Sequence, residues 1–319
     1  MVDVSIQELK KSNISEITKL TYSERQASAF RSTDLKLEDI EKSIRAKMDN
    51  PNPPVVFLAR TGKKLVGWLM VSLHAKTAEI ASYHPVIYPK RDSNIIAKEL
   101  LETAVNYSKE RGLARIEAYF NLEKHLEQVF IDYRHWFRMR GFNQADESFI
   151  LTRFLTDKQE IAKTALPEGF KIELLYRIPE EKLYHCYYET FMNSQDVEFL
   201  ARTEEERRKH FSDNIHPHYA SFNGEASLVL LMGDQIAGFA MVHIISPEEG
   251  YLSDFGIHPD YRGQGLAKKL LSISMRIQAQ QGLQTIVLHV SSHNEPAQKF
   301  YRDMEFKTIS LAIRLVMDF

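Results

Sequence analysis

The stretch HPDYRGQGLAKKLL, residues 258–271, joins an apolar strand pattern to an amphipathic helix pattern. Gly263 and Gly265 follow Arg262 with one residue between them. A strand that turns into a helix here directs several backbone N–H groups toward one point, and the positive end of the helix dipole favours an anion there. Glycines permit open dihedral angles and close approach of a phosphate. The stretch therefore predicts a pyrophosphate site, with Arg262 adding charge-assisted hydrogen bonds, although a plain glycine-rich turn is the alternative.

An internal repeat organises the chain around this stretch. A shift of 170 residues pairs 87–116 with 257–286 without a gap and gives nine identities over 30 positions. Because the matches keep one register through loop, helix and following strand, we interpret the repeat as a duplication. Each copy is predicted to contain a strand, two helices, three strands, a helix, a strand, a helix and closing strands. The expected domains are residues 1–156 and 170–319, joined by a linker at 157–169 where the periodicity fades.

Composition excludes several classes of protein. The 319 residues are 44% hydrophobic and 26% charged, which is typical of a soluble globular protein. A net charge of −2 and a pI near 6.6 leave no basic surface for nucleic acid. The apolar runs are too short to span a membrane, and the N-terminus does not resemble a signal peptide. With Cys186 as its single cysteine, the chain is expected to be cytoplasmic, with no nucleic acid or membrane partner.

Two motifs in the second copy carry a family resemblance. FGIHPDYRGQGLAKKLL (255–271) resembles the acyl-CoA pyrophosphate loop of the GNAT superfamily of N-acetyltransferases, and LHVSSHNEPAQKFYRDMEF (288–306) resembles the second signature of that family. Glu305 departs from the pattern, because the family usually has a glycine there. The matching positions are Arg262, Gly265, Ala267, Asn294, Ala297, Phe300, Tyr301 and Phe306.

The resemblance implies an α/β (α+β) fold of two tandem GNAT-like domains, each a mostly antiparallel twisted sheet flanked by helices. It also implies acetyl-CoA as cosubstrate and no metal. The pantetheine arm would bind one strand as an added strand, and a backbone N–H near Phe255–Ile257 would meet the thioester oxygen. The residues expected to bind acetyl-CoA are Phe255, Gly256, Ile257, Arg262, Gly263, Gln264, Gly265, Leu266, Ala267, Asn294 and Ala297.

Gly256 has two interpretations within that strand. It can form a bulge that separates YLSDFGI from TIVLHV and opens a slot, or it can permit close packing.

Two side chains are the catalytic candidates implied by the resemblance. Tyr301 is expected to protonate the leaving thiolate or to hydrogen-bond its sulfur, with a half-buried core tyrosine as the alternative. Asp254 is the candidate base, although several relatives have a glutamate one position earlier, at Ser253. A one-residue offset in a strand reverses the face unless a bulge intervenes, so a structural or acceptor-binding role for Asp254 stays open. The reserve candidates for the base are His243, His289 and Glu249.

The first copy has lost these features. Under the 170-residue shift, Arg262 aligns with Asp92 and Gly265 with Ile95, and a carboxylate and a β-branched side chain both disfavour a pyrophosphate. A shift of 164 pairs Tyr301 with Phe137, which has no hydroxyl. We therefore expect a degenerate first domain and one acetyl-CoA site per chain. This arrangement resembles the tandem architecture of mycothiol synthase, whose C-terminal copy is the active one.

The expected function is acetyl transfer from acetyl-CoA to a primary amine of a small molecule, by direct attack on the thioester. The alternatives are a protein or peptide N-acetyltransferase and a non-catalytic acyl-CoA-binding regulatory protein. Neither the acceptor nor the oligomeric state has a recognisable code in the sequence.

Overall fold

Two compact units divide the chain in the computed structural model. Unit 1 comprises Met1–Glu147 with Ser310–Phe319, and unit 2 comprises Ser148–Ile309. The structure describes residues 3–8, 11–27, 36–48, 52–122, 127–155, 165–216 and 221–319. Most of the linker expected at 157–169 lies outside the described residues.

Unit 1 is a mostly antiparallel sheet with helices on both faces. Its strand order is β1-β2-β3-β4-β6-β14, with β5 paired to β3, and the β4–β6 pair alone is parallel among the described strand pairs of the unit. Its strands are β1 (Asp3–Glu8), β2 (Val55–Thr61), β3 (Lys64–Leu73), β4 (Thr77–Ile80), β5 (Val86–Ile87), β6 (Arg115–Leu122) and residues 310–318 of β14 (Lys307–Asp318), and its helices are α1 (Lys11–Ala27), α2 (Leu37–Met48), α3 (Ser93–Glu110) and α4 (Glu127–Arg138).

Unit 2 repeats this topology. Its strand order is β7-β13-β12-β11-β10-β8, with β9 paired to β11, and the parallel pair within its described strands is β12–β13. Its strands are residues 148–154 of β7 (Asn143–Phe154), β8 (Phe170–Leu174), β9 (Ser221–Phe222), β10 (Leu228–Met232), β11 (Gln235–Ser246), β12 (Glu249–Ile257) and β13 (Thr285–Ser291), and its helices are α5 (Glu180–Met192), α6 (Val197–Ala201), α7 (Glu204–Ile215), α8 (Leu266–Gln280) and α9 (Glu295–Asp303).

Strand alternation builds two cores in each unit, one on either face of the sheet. In β10, Leu228 and Leu230 face the core beneath α8, while Val229 and Leu231 face the core beneath α5, α6 and α7. In β2, Phe57 packs with α3 and α4, while Val56 packs with α1 and α2. The predicted mixed α/β class and the tandem arrangement are confirmed by this architecture.

The last strand of each sequence copy lies in the sheet of the other unit, and we call this arrangement the strand exchange. Leu311–Asp318, at the C-terminus of the chain, pairs antiparallel with Leu122–Arg115 of unit 1. Ser148–Phe154, from the end of the first copy, pairs antiparallel with Ser291–Thr285 of unit 2. A single cut near the expected linker therefore does not coincide with the division into compact units.

Within the described parts of the chain, no helix combines the length and the apolar character that a membrane span requires.

Candidate active site

The parallel strands β12 and β13 separate halfway along their length. They pair from Glu249 opposite Thr285 to Leu252 opposite Leu288, whereas the pairing of β12 with β11 continues to Ile257. The separation coincides with a register shift, because Met241 lies opposite Asp254 and Val242 lies opposite Leu252. Ser253 is thus the extra residue of a β-bulge, and bulges bend strands and re-aim side chains. The backbone edge of β12 after Leu252 is not paired with β13, as a slot for an extended ligand arm requires.

Gly256 lies beyond this bulge and in regular register opposite Phe239. A Cβ atom built on Gly256 would lie 2.4 Å from Cγ2 of Thr190 on α5. The bulge interpretation of Gly256 is therefore wrong, and the close-packing interpretation describes its role. The bulge at Ser253 opens the slot instead.

The glycine-rich loop has the conformation that an anion site needs. Gly263 and Gly265 have φ values of +78° and +72°, and a Cβ at either position would meet nothing within 4 Å. Backbone dihedrals, and not crowding, therefore require glycine at both positions. Gly265 caps α8 without any side-chain hydrogen bond, and the first turn of α8 has no acidic residue. The first N–H groups of the helix and its positive dipole end thus face an exposed loop, which fits a pyrophosphate.

Arg262 forms hydrogen bonds with the backbone around the loop. Its guanidinium donates to three backbone carbonyls: Nε to Ile257 O at 3.0 Å, and the two Nη atoms to Asn193 O and Thr190 O, both at 2.9 Å. These contacts fasten the loop to the C-terminal end of α5. Arg262 therefore positions the loop, and direct contact of its guanidinium with the pyrophosphate stays a prediction.

The other predicted acetyl-CoA residues lie along the same path. Phe255 stacks on Phe300 with ring centroids 5.7 Å apart. Asn294 caps α9, because its side chain accepts a hydrogen bond from Ala297 N at 3.2 Å. The remaining predicted residues fall into two groups: Gln264 is exposed on the loop, while Ile257, Leu266 and Ala267 contribute to the unit 2 core.

Asp254 is a buried carboxyl beside the strand separation. The residue is 6% exposed, and Asn214 Nδ2 on α7 donates a hydrogen bond to its Oδ2. Burial raises the pKa of Asp254 to about 7, although the positive charge of Arg202 partly opposes the shift. A carboxyl with this pKa exchanges a proton readily near neutral pH, as a general base must.

Tyr301 approaches the same region from α9. Its ring contacts Phe255, Phe300 and Phe306, and its hydroxyl makes no hydrogen bond to any residue that the structure describes. Burial, and then the negative charge of Asp254, raise the pKa of Tyr301 well above its usual value. The phenol is therefore a persistent donor, which favours hydrogen bonding to a thiolate over complete proton transfer.

The reserve candidates for the base differ in position. His243 is buried, its Nε2 lies 3.0 Å from Ser253 Oγ, and burial lowers its pKa to about 4, so it is a neutral partner of the bulge. Glu249 lies at the paired end of β12, five residues before Asp254. His289 is exposed on β13, with its ring 5.9 Å from that of Tyr251. The contact between His243 and Ser253 ties this histidine to the bulge.

Glu305 adopts the turn conformation that the family usually forms with a glycine at this position. It has a φ of +62°, the left-handed conformation that the usual glycine would adopt. Arg153 Nη2 donates to Glu305 Oε2 at 3.0 Å and holds the side chain. The second signature motif therefore folds as expected despite the substitution.

Two features of unit 1 close the equivalent region. Helix α3 begins at Ser93, so the residues aligned with Gly263–Gly265 form an extra helical turn. Within that turn, the N–H groups of Ser93 and Ile95 donate to Lys90 O and Asp92 O.

The slot of unit 1 is occupied by its own side chains. Ser82 Oγ donates to Tyr119 O at 2.6 Å and the Tyr83 hydroxyl donates to Asn121 O, both on β6. Phe137, aligned with Tyr301, is buried in ring contact with Phe142. These β6 carbonyls are thus already bonded where β4 and β6 have separated.

Sequence reasoning missed the side chains that surround Asp254 from the helices. Asn214 and Tyr187 belong to this group, and the charge of Asp254 raises the pKa of Tyr187 further above its usual range after burial, the larger cause. A signal for Asn214 existed, because it follows the buried Phe211 by three residues and so shares its helix face.

Comparisons with known proteins agree with this geometry. The Acetyltransferase (GNAT) family model matches residues 182–306. N-alpha-acetyltransferase 30 of Schizosaccharomyces pombe is 32% identical over 100 residues, which are 30% of this chain and 67% of that protein. Mycothiol acetyltransferase of Saccharomonospora viridis is 24% identical over 186 residues, so the match spans 54% of this chain and little more than half, 57%, of that protein.

A solved structure extends the likeness of fold to the whole chain. The tandem GNAT protein from the clavulanic acid biosynthesis pathway has a TM-score of 0.59 and 14% identity, and the match covers 99% of this chain and 98% of that one. At this identity the likeness concerns the fold alone. Together with the family match and the site geometry, it leads to one conclusion: the chain belongs to the GNAT family of acyltransferase enzymes, with tandem architecture.

Proposed function

We propose that the protein transfers the acetyl group of acetyl-CoA to a primary amine of a small molecule, and that unit 2 carries the reaction. One observation carries the proposal above all. A buried carboxyl with a pKa of about 7, Asp254, and a tyrosine hydroxyl not bonded to any described residue, that of Tyr301, flank the point where β12 and β13 separate. An acyl-transfer site needs such a base and such a donor on either side of the thioester.

Acetyl-CoA would bind along the edge of β12 and the following loop. The N–H groups of Gly263–Ala267 would hold the pyrophosphate, and Arg262 keeps that loop against α5. The unpaired edge at Phe255–Ile257 would accept the pantetheine arm as an added strand. Asn294 and Ala297 would border the arm at the start of α9.

The chemistry at the slot is a balanced acyl transfer. The neutral amine nitrogen attacks the thioester carbonyl carbon, a C–N bond forms, and the C–S bond breaks as the tetrahedral intermediate collapses. Asp254 takes the proton that the amine nitrogen loses. Backbone N–H groups near Phe255–Ile257 stabilise the oxyanion, and Tyr301 donates a hydrogen bond to the departing sulfur. The thiolate leaves and takes a proton from water, and Asp254 returns its proton to water, so the products are the amide and CoA thiol.

Burial of the carboxyl supports a small acceptor. Asp254 is 6% exposed and lies beneath Asn214 of α7, with the aromatic rings of Tyr187 and Tyr301 nearby. A slender amine reaches such a carboxyl more easily than a folded protein surface does. The names of the relatives represent both acceptor classes, since one is an N-alpha-acetyltransferase and another a mycothiol acetyltransferase.

Thiol release from acetyl-CoA tests the proposal. Wild-type protein and Asp254→Asn should be incubated with acetyl-CoA and separate panels of small amines and N-terminal peptides. Release with a small amine, lost in Asp254→Asn, is the expected result. Release with peptides alone would indicate the protein acetyltransferase alternative. Acetyl-CoA binding by calorimetry without release in either panel would favour the non-catalytic alternative.

A further inference from the structure

A polar network connects α7 to Asp254. Asn214 is 4% exposed, and its Nδ2 lies within hydrogen-bond distance of Asp254 Oδ2 and 3.1 Å from His210 Nε2. His210 and Asn214 are one turn apart on α7, so both side chains lie on the same face of the helix. None of these contacts is part of the motifs described for the loop and α9.

The chemistry of the side chains determines which atoms donate and which accept between Asn214, His210 and Asp254. An amide nitrogen is only a donor, and it has two N–H groups. One N–H of Asn214 donates a hydrogen bond to the Asp254 carboxylate. The other N–H donates to His210 Nε2, which must therefore be unprotonated. Burial lowers the pKa of His210 to about 3, which keeps the ring neutral throughout the physiological range.

The amide does not relay a proton between the two groups. Passing a proton through Asn214 would require the imidic acid tautomer of its side chain, whereas its ordinary amide form satisfies both contacts. His210 therefore acts on Asp254 through geometry, because its lone pair fixes the second N–H and with it the plane of the amide.

Other charged and titratable groups that act on Asp254 lie on α5, at both ends of α6 and on α9. Arg202 at the end of α6 lowers its pKa, and Asp196 at the start of α6 raises it. Tyr187 on α5 and Tyr301 on α9 interact with its charge. The bulge residue Ser253 also contributes a hydrogen bond that lowers its pKa.

We infer that Asn214, held by His210, is a positioning residue that orients the Asp254 carboxyl and favours its ionised form, so that α7 controls the base. This inference rests on the proposed function. A hydrogen bond from a neutral donor to a carboxylate stabilises the charged form, so its loss should raise the pH at which the base ionises.

The test measures two pH profiles for each variant. One is kcat/KM for the best small amine, and the other is the ¹³C carboxyl resonance assigned to Asp254 by its absence in Asp254→Asn. We expect Asn214→Ala to lower kcat/KM by about ten- to a hundredfold and to move both midpoints upward by about one pH unit. Unmoved midpoints in a folded Asn214→Ala protein would overturn the inference.

A matched pair at His210 covers the case in which Asn214→Ala does not fold. His210→Gln keeps a hydrogen-bond acceptor on the helix face, whereas His210→Phe removes it and keeps a ring. We expect His210→Phe to shift the midpoints in the same direction as Asn214→Ala, and His210→Gln to stay near wild type. Equal profiles for the pair would contradict the inference.

The exposed Glu205→Gln on the same helix is the control and should match wild type. If wild-type protein turns over no amine, the proposed function fails. The carboxyl resonance still decides the role of Asn214.

Discussion

Replacing Asp254 by asparagine should stabilise the folded protein at neutral pH while abolishing the proposed base. In the unfolded chain this carboxyl has a pKa near 3.8, and in the folded protein burial raises the pKa to about 7. Between these values the folded state binds more protons than the unfolded state, so the free energy of unfolding falls as the pH rises. Stability linked to Asp254 is therefore fully present below pH 3.8 and is lost as the pH approaches 7.

The magnitude follows from the two pKa values. The full interval corresponds to about 4 kcal/mol, of which roughly 2.5 kcal/mol develops between pH 5 and pH 7.5. Asparagine has no charge to desolvate and retains a polar side chain for Asn214. The difference in unfolding free energy between Asp254→Asn and wild type should thus grow by that amount over this range.

Urea unfolding followed by circular dichroism at pH 5 and pH 7.5 measures the difference. Asp303→Asn is the matched control, because a hydrogen bond from Lys299 lowers the pKa of this exposed carboxyl. The ionised Asp303 carboxyl stabilises the folded protein at pH values above the pKa that it has in the unfolded chain. Replacing it by asparagine should therefore not stabilise the protein at pH 7.5. A variant Asp254→Asn that loses equal stability at both pH values would refute the argument, since it would mean that the buried carboxyl is stabilised as an anion.

Four further predictions concern the slots of the two units, the glycine-rich loop and the strand exchange. Tyr301→Phe should lower kcat about a hundredfold with little change in acetyl-CoA affinity by calorimetry, and an unchanged kcat would remove the hydroxyl from the mechanism. Calorimetry on the wild type should give one acetyl-CoA site per chain, whereas two equal sites would contradict the closed slot of unit 1. Gly265→Ala should weaken that site or the fold by about 1 kcal/mol because of its positive φ, measured in the same titration and by thermal unfolding. A fragment of residues 148–309 should fold, while a fragment of residues 165–319 should not, because it lacks the strand that covers β13; circular dichroism of both fragments decides this.

Local patterns predicted most elements of unit 2. The glycine-rich loop, the helix after it and the second signature motif occur where the sequence placed them. The short helix α6 and the two-residue strand β9 were not predicted, because segments of this length carry little periodicity. The bulge was placed at Gly256 as one alternative, yet it occurs at Ser253, because bulge position depends on the register with β11.

Arg262 illustrates the limit of motif reasoning about a side chain. The motif predicts a cation beside a phosphate, and the residue does occur at the loop. Two of its donors, the Nη atoms, bind carbonyls at the end of α5, and one of these carbonyls belongs to Asn193, 69 residues away from Arg262. A motif therefore locates a loop more securely than it assigns the contacts of each side chain in it.

The sequence by itself determined the duplication, the fold of each copy and the difference between the two copies. It could do so because the periodicity of apolar residues, the positions of glycines and the replacement of RGQG (262–265) by DSNI (92–95) are local properties of the chain. The tertiary structure decided the rest. The exchange of the last strands, the burial that raises the pKa of Asp254 and the Asn214 contact all join residues tens to hundreds of positions apart. The pKa of a carboxyl depends on the solvent and charges around it in space, and no local pattern encodes that environment.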